Sequence, residues 1–104
     1  MTHAISASGI ALLQEFEGFR ATPGQLPNGA WVVGYGHVRA EPGAPVTQSE
    51  ATDLLSLDIA PFEKLVNERV TQPLTQSQFD AAVCFAFSIG AEAFEQSQVL
   101  RRIN

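Results

Sequence analysis

Residues 31 to 37 read Trp31-Val32-Val33-Gly34-Tyr35-Gly36-His37. Trp31, Val33 and Tyr35 alternate as side chains do on one face of a strand, while Gly34 and Gly36 allow close backbone approach. The stretch therefore predicts a small hairpin with an aromatic face, with Gly34-Tyr35-Gly36 in strand geometry. Just upstream, Ala21 to Ala30 holds two prolines and two glycines, which break regular structure and predict a loop. Within it, Asn28-Gly29 is a hairpin-type turn signal. Before the loop, Ile10, Leu13 and Phe16 recur at helical spacing behind Ser6 or Ser8, either of which can cap. A first helix should thus end near Glu15 and Glu17, with that stripe turned inward.

Downstream, Arg39 to Val46 reads as loop, and Thr47-Gln48-Ser49-Glu50 has the form of a capping box that opens a second helix. Its apolar stripe is Ala51, Leu54, Leu55, Ile59, Phe62, Leu65 and Val66. Pro61 lies inside that stripe and predicts a kink in one long helix over 47–70, because proline lacks the amide donor and crowds the preceding turn. A second box, Thr75-Gln76-Ser77-Gln78, opens the most apolar helix, with Phe79, Ala82, Val83, Ala86 and Phe87 inward and Gly90 as its stop. A last amphipathic piece carries Phe94, Leu100 and Ile103.

The chain has 104 residues, enough for one modest core, and its 45% hydrophobic and 16% charged composition is that of a globular domain. Six basic against eleven acidic residues give a net charge of -5, which argues against nucleic acid, since phosphate binding rests on clustered Lys and Arg. The same acidity gives no electrostatic steering toward an anionic cell wall. The lone Cys84, in an apolar run, reads as a small buried hydrophobe and has no partner for a disulfide. No charged-then-apolar leader and no apolar run near 18 residues is visible, so neither a signal peptide nor a membrane span is expected. No set of His, Cys and carboxylates has metal-ligand spacing, and no phosphate-binding glycine loop is present, so no metal or cofactor is expected.

Five fragments occur in order: Glu17-Gly18-Phe19-Arg20, the Trp31 to His37 stretch, Thr47-Gln48-Ser49-Glu50-Ala51, Gln78-Phe79-Asp80-Ala81-Ala82, and Ala86-Phe87-Ser88-Ile89-Gly90. Together they resemble the phage-type lysozymes, glycoside hydrolase family 24. The resemblance implies an α+β, mainly helical fold: a small β-hairpin lobe and a helical lobe joined by the long helix, with a saccharide cleft between them. It implies one lysozyme-like domain over 1–104. Because the family continues with further helices, the C-terminal part is expected to be truncated.

The family chemistry needs an acid for the leaving glycosidic oxygen and a second group that attacks, stabilises or activates water. By resemblance the acid is Glu17, at a cleft and partly buried. The second carboxylate is expected where Leu26 stands, and an assisting Thr where Val32 stands. No Asp or Glu lies between Glu17 and Glu41. Asn28 can hold a water but, as an amide, cannot serve as base or nucleophile. Arg20, Trp31, Tyr35 and His37 belong to the same fold signature. His37 is expected to bond the hairpin to the helix end, and Arg20 to act as an ion-pair or helix-end partner.

Two readings stand at this point. One is a peptidoglycan muramidase, acting between N-acetylmuramic acid and N-acetylglucosamine, with hydrolysis weak or lost for want of the two replaced residues. A single-Glu route assisted by the substrate N-acetyl group, or a lytic transglycosylase route, would not need an acid at Leu26. The other is a repurposed, non-catalytic module. Gln25-Leu26-Pro27-Asn28-Gly29 is similar to the muramidase-like domains of polar scaffold proteins of stalked alphaproteobacteria, which implies protein partners and self-assembly. The apolar Leu26 and Val32 suit a protein partner better than a sugar. The resemblance implies a bacterial or phage source, with a cytoplasmic setting favoured in the absence of a leader or disulfide.

Overall fold

The computed structural model describes residues 3 to 104, in the order α1 (Ala7–Glu17), β1 (Arg20–Gln25), β2 (Trp31–Gly34), β3 (His37–Arg39), α2 (Gln48–Arg69), α3 (Gln76–Ile89), α4 (Ala91–Glu95) and α5 (Gln98–Ile103). The chain forms two compact units: Leu12–Asp58, and the residues up to Ala11 together with Ile59–Asn104.

In Leu12–Asp58, three antiparallel strands lie in the order β1-β2-β3. The sheet is one strand larger than the expected hairpin. Ala21 to Gln25, expected as loop, joins Arg20 in the extra strand despite Pro23 and Gly24, because it lies at a sheet edge where a missing amide donor is tolerated. Its register with β2 shifts between Arg20 and Gly24. The turn at Asn28-Gly29 forms as expected. Leu26 N–H donates to the Ala30 carbonyl at 2.7 Å, and the Asn28 side-chain oxygen accepts from Ala30 N–H at 3.0 Å.

Gly34-Tyr35-Gly36 is not continuous strand. Val33 pairs with His37, so Gly34 is the last residue of β2, still paired with Arg20, and Tyr35-Gly36 makes the β2–β3 turn, with φ at +66° for Gly34 and +80° for Gly36. Glycines that looked like openings on a strand face are thus backbone requirements of a turn. Beneath the sheet, Leu13, Val33, Tyr35, Ala51 and Leu55 are buried. Phe16, expected inward, is instead 84% exposed, although it shares helical spacing with Leu13. Glu50 N–H donates to the Thr47 hydroxyl and Thr47 N–H to the Glu50 carboxylate, closing the predicted capping box of α2.

α2 runs unbroken from Gln48 to Arg69 with Pro61 inside it, as one helix rather than two. In the other unit its Ile59 and Val66 join Phe79, Ala82, Val83, Ala86, Phe94 and Leu100 as the core. The Thr75–Gln78 capping box is complete, and α3 stops at Gly90 with φ +92°. Phe87 is half-buried, its ring edge-on to Phe62 at 5.4 Å. Cys84 is half-buried rather than enclosed, and its thiol is pushed up from its ordinary value by desolvation and by the nearby Asp80 charge. The last amphipathic stretch is two short helices, with the Ser97 hydroxyl accepting from Leu100 N–H to cap the second.

The segment before α1 is strapped to this unit by side chains. Asn67 exchanges two hydrogen bonds with the backbone of His3, both 2.9 Å, and Ile5 N–H donates to Glu63 at 2.8 Å. Asp80 accepts from the amide and hydroxyl of Ser6 and from the Gln76 side chain. Desolvation pushes the Asp80 carboxyl up, but these donors outweigh it and hold the carboxyl below its ordinary value. A depressed folded-state value contributes stability above the unfolded value, which is lost as pH falls through the folded one. Because the carboxyl is largely open to solvent, which screens it, Asp80→Ala should cost only about 0.5–1.5 kcal/mol at neutral pH, and the gap to wild type should close below about pH 4, in urea melts across pH. A gap independent of pH would show that the donors act on packing alone.

Candidate functional site

The residues singled out by sequence all fall within Leu12–Asp58. Gly18, at φ +71°, takes the left-handed conformation that ends a helix, and its N–H bonds back to the Gln14 carbonyl at 3.0 Å. This leaves Glu17 as the last residue of α1, three positions before β1 starts. The Glu17 side chain is exposed, not partly buried as expected. One side of it nevertheless meets the β2–β3 turn: a Cβ on Gly36 would lie 3.0 Å from Glu17 Oε2 and 3.5 Å from its Cδ. Among the described residues the Glu17 carboxyl has no hydrogen-bond or ion-pair partner. Its oxygens are open to a ligand.

Tyr35 is buried in the same turn and stacks at a tilt on Phe19, ring centres 5.6 Å apart. His37 Nδ1 lies 2.8 Å from Asp58 Oδ2, so β3 is tied to α2 and not to the end of α1. Asp58 carried no sequence signal, being one acid in a helical run 21 residues away. Trp31 is half-buried and pairs with Gln25 and Arg39.

Arg20 forms no ion pair among the described residues, so the expected partner role is not found. Its guanidinium instead lies along β1 over Gly24, where a Cβ would come within 2.4 Å of Nη1 and 2.7 Å of Cζ. Gly24 pairs with Val32, and Val32 with Val38, so these three positions form one cross-strand row. Arg20 thus lies on the same row as Val32. Leu26 and Asn28 sit in the β1–β2 turn, Leu26 half-buried and Asn28 exposed.

Of the other carboxylates of the unit, Asp58 is committed to His37 and Glu50 to the cap of α2, while Glu15, Glu41 and Asp53 are exposed on its helices and loop. None lies on the sheet or its turns, because residues 18 to 40 contain no acid. Beside the β2–β3 turn the geometry thus presents the Glu17 carboxyl without a second carboxylate from the strands to complete a pair.

The family model for phage lysozyme matches residues 14 to 104. The endolysin of Acyrthosiphon pisum secondary endosymbiont phage 1 is 39% identical over 101 residues, covering 96% of this chain and 69% of that protein. The endolysin of Bacillus phage PZA is 36% identical over 107 residues, and the chain spans only 40% of its length. Among solved structures, the muramidase domain of SpmX from Asticaccaulis excentricus superposes with a TM-score of 0.94 at 52% identity, covering 98% of this chain and 70% of that one.

Proposed function

Because the chain belongs to the phage lysozyme family, we propose that it carries a peptidoglycan-directed muramidase site in which Glu17 is the surviving general acid and hydrolysis is weak or lost. The bond addressed joins N-acetylmuramic acid to N-acetylglucosamine. The observation that carries this reading is the open Glu17 carboxyl against Gly36, in a segment that holds no second acid from Gly18 to Ala40. Protonating the leaving oxygen is half of the chemistry. Without a carboxylate opposite, the sugar cation must be met by water or by the substrate's own N-acetyl group.

Loss of one member of an acid/base pair commonly costs on the order of 10² to 10⁴ in rate. Release of soluble muropeptides from purified cell wall is expected to be slow for the wild-type chain and to fall to the protein-free blank for Glu17→Gln. Equal release by both, at the blank, would remove the enzymatic part of the reading.

A second reading has its own support. The apolar Leu26 and Val32 and the 84% exposed Phe16 favour a non-catalytic module for protein interaction and self-assembly at a cell pole, the role that the resemblance of Gln25 to Gly29 to polar scaffold domains implies. Exposed aromatic surface of this kind is costly to leave in water and suits a protein partner. Sizing across protein concentration separates the two: a monomer throughout counts against self-assembly.

A further inference from the structure

We infer that Asp80 and Ser6 form an acid-released latch on the start of α1: the carboxylate on α3 holds the cap of that helix, and protonation frees the cap while α3 stays folded. Ser6 is the key residue. Its carbonyl accepts from Ile10 N–H at 3.0 Å and its hydroxyl oxygen from Gly9 N–H at 3.2 Å. It thereby satisfies two of the amides that a helix start leaves without partners. The hydroxyl oxygen can turn a lone pair to Gly9 only when its own hydrogen points elsewhere. Asp80 Oδ2 takes that hydrogen, and Asp80 Oδ1 accepts from Ser6 N–H at 2.9 Å. A side chain 74 residues away thus sets the cap of the helix whose last residue is Glu17.

The surroundings are built for a charged carboxyl. Gln76 Nε2, one turn earlier on α3, donates to Asp80 Oδ1 at 2.8 Å. Gly9 is buried and lets the helix start close on the acid: a Cβ there would lie 2.9 Å from Asp80 Cγ and 2.6 Å from Ile5 Cγ1. The titratable groups around the contact are His3 on the strap, Glu63 on α2, which accepts from Ile5 N–H, and Cys84, one turn along α3. No Lys, Arg or His pairs with Asp80 among the described residues. Its hold on the strap therefore rests on neutral donors, which grip a carboxylate more strongly than an uncharged acid. A protonated Asp80 accepts more weakly and brings a hydrogen of its own among three donors.

Release is local because the neighbouring residues have other holders. Asn67 bonds the backbone of His3, Glu63 bonds Ile5 N–H, and Gln76 donates to the Ala4 carbonyl at 2.9 Å. Only Ser6 and the first turn of α1 depend on Asp80. Desolvation pushes the Asp80 carboxyl up, yet its donors hold it below the ordinary value. The latch is therefore closed at neutral pH and opens as pH falls below the ordinary aspartate value of about 3.9.

Native-state amide exchange of the full chain tests this, read residue by residue by NMR at neutral pH and in dilute urea. Asp80→Asn keeps the shape and removes the charge. It should speed exchange at Ser6, Gly9 and Ile10 by about tenfold, through an opening that urea does not accelerate. Val83 and Ala86, buried on α3, should keep exchanging through the urea-dependent global opening. Ser6→Ala should speed Gly9 similarly, and adding Asp80→Asn to it should change Gly9 little further. In the wild-type chain the Ser6 amide resonance should titrate at acid pH, before the Val83 and Ala86 resonances are lost, and that titration should vanish in Asp80→Asn. Unchanged exchange at Ser6, Gly9 and Ile10 in Asp80→Asn overturns the inference, because the cap then holds itself. A rise that shares the urea dependence of Val83 and Ala86 overturns it too, since Asp80 then acts only on global stability. Should Asp80→Asn fail to fold, the wild-type acid titration decides: Ser6 titrating first supports the latch, and loss together with α3 overturns it.

Discussion

Leu26→Asp combined with Val32→Thr is expected to raise muropeptide release by about 10²-fold or more over the wild-type chain, and adding Glu17→Gln should abolish the gain. The reaction needs a group opposite the acid, and these two positions are where the family resemblance places it. The local backbone can carry both changes. Position 26 is fixed by main-chain bonds in the β1–β2 turn, Leu26 N–H to the Ala30 carbonyl at 2.7 Å and Gly29 N–H to the Leu26 carbonyl at 3.0 Å. Neither bond uses the side chain, which is only half-buried, so a carboxylate there remains hydrated.

Val32 is likewise half-buried, and Thr has nearly its shape, with a hydroxyl that water can satisfy. Each single change should give a smaller gain than the pair, because both act on the same step. If the double variant keeps its thermal melt yet releases nothing above blank, the surrounding geometry no longer supports the reaction. The non-catalytic reading then stands alone.

Gly34→Ala should destabilise the protein by about 2–4 kcal/mol, a large share of the stability of a domain this size. Two costs combine. At φ +66° a Cβ is held in the left-handed region, worth roughly 1–2 kcal/mol. That Cβ would also lie 3.0 Å from the Cβ and 3.4 Å from the Cα of Ala51, a fully buried residue in α2. Overpacking of this kind adds about 1–3 kcal/mol because backbone, unlike a flexible side-chain tip, cannot swing away.

Gly29→Ala separates the two costs, since Gly29 has φ +90° and open space where its Cβ would go. Only the conformational penalty should appear there. Ala51→Gly should restore part of the loss at Gly34 and little of the loss at Gly29, a coupling readable in a double-mutant cycle by urea denaturation. Equal losses at the two glycines, with no rescue, would show that Gly34 is required by the turn alone.

The local features read from sequence are those whose causes are local. Thr47 with Glu50 and Thr75 with Gln78 form capping boxes because donor and acceptor lie three residues apart. Asn28-Gly29 turns the chain for the same reason. Readings that needed the third dimension fared differently. Periodicity placed Phe16 with Leu13, but whether a helix face is covered depends on what the rest of the chain lays over it, and Phe16 is left 84% exposed. Pro23 and Gly24 suggested loop, yet β2 supplies a partner strand that a propensity argument does not contain.

The candidate site divides in the same way. Sequence alone determined that Glu17 ends a helix and that no acid follows before Glu41, because these are facts of order along one chain; Leu26 and Val32 enter only through what the family resemblance implies. Only the tertiary structure decided that the Glu17 carboxyl rests against Gly36, that His37 takes Asp58 as its partner, and that Arg20 spans Gly24 beside Val32. Each of these joins groups brought together by a turn, a strand register or a helix far along the chain. Separation in sequence does not encode those distances. The fold is specified by many weak local preferences that agree, whereas the chemistry depends on a few atoms whose positions those preferences fix only jointly.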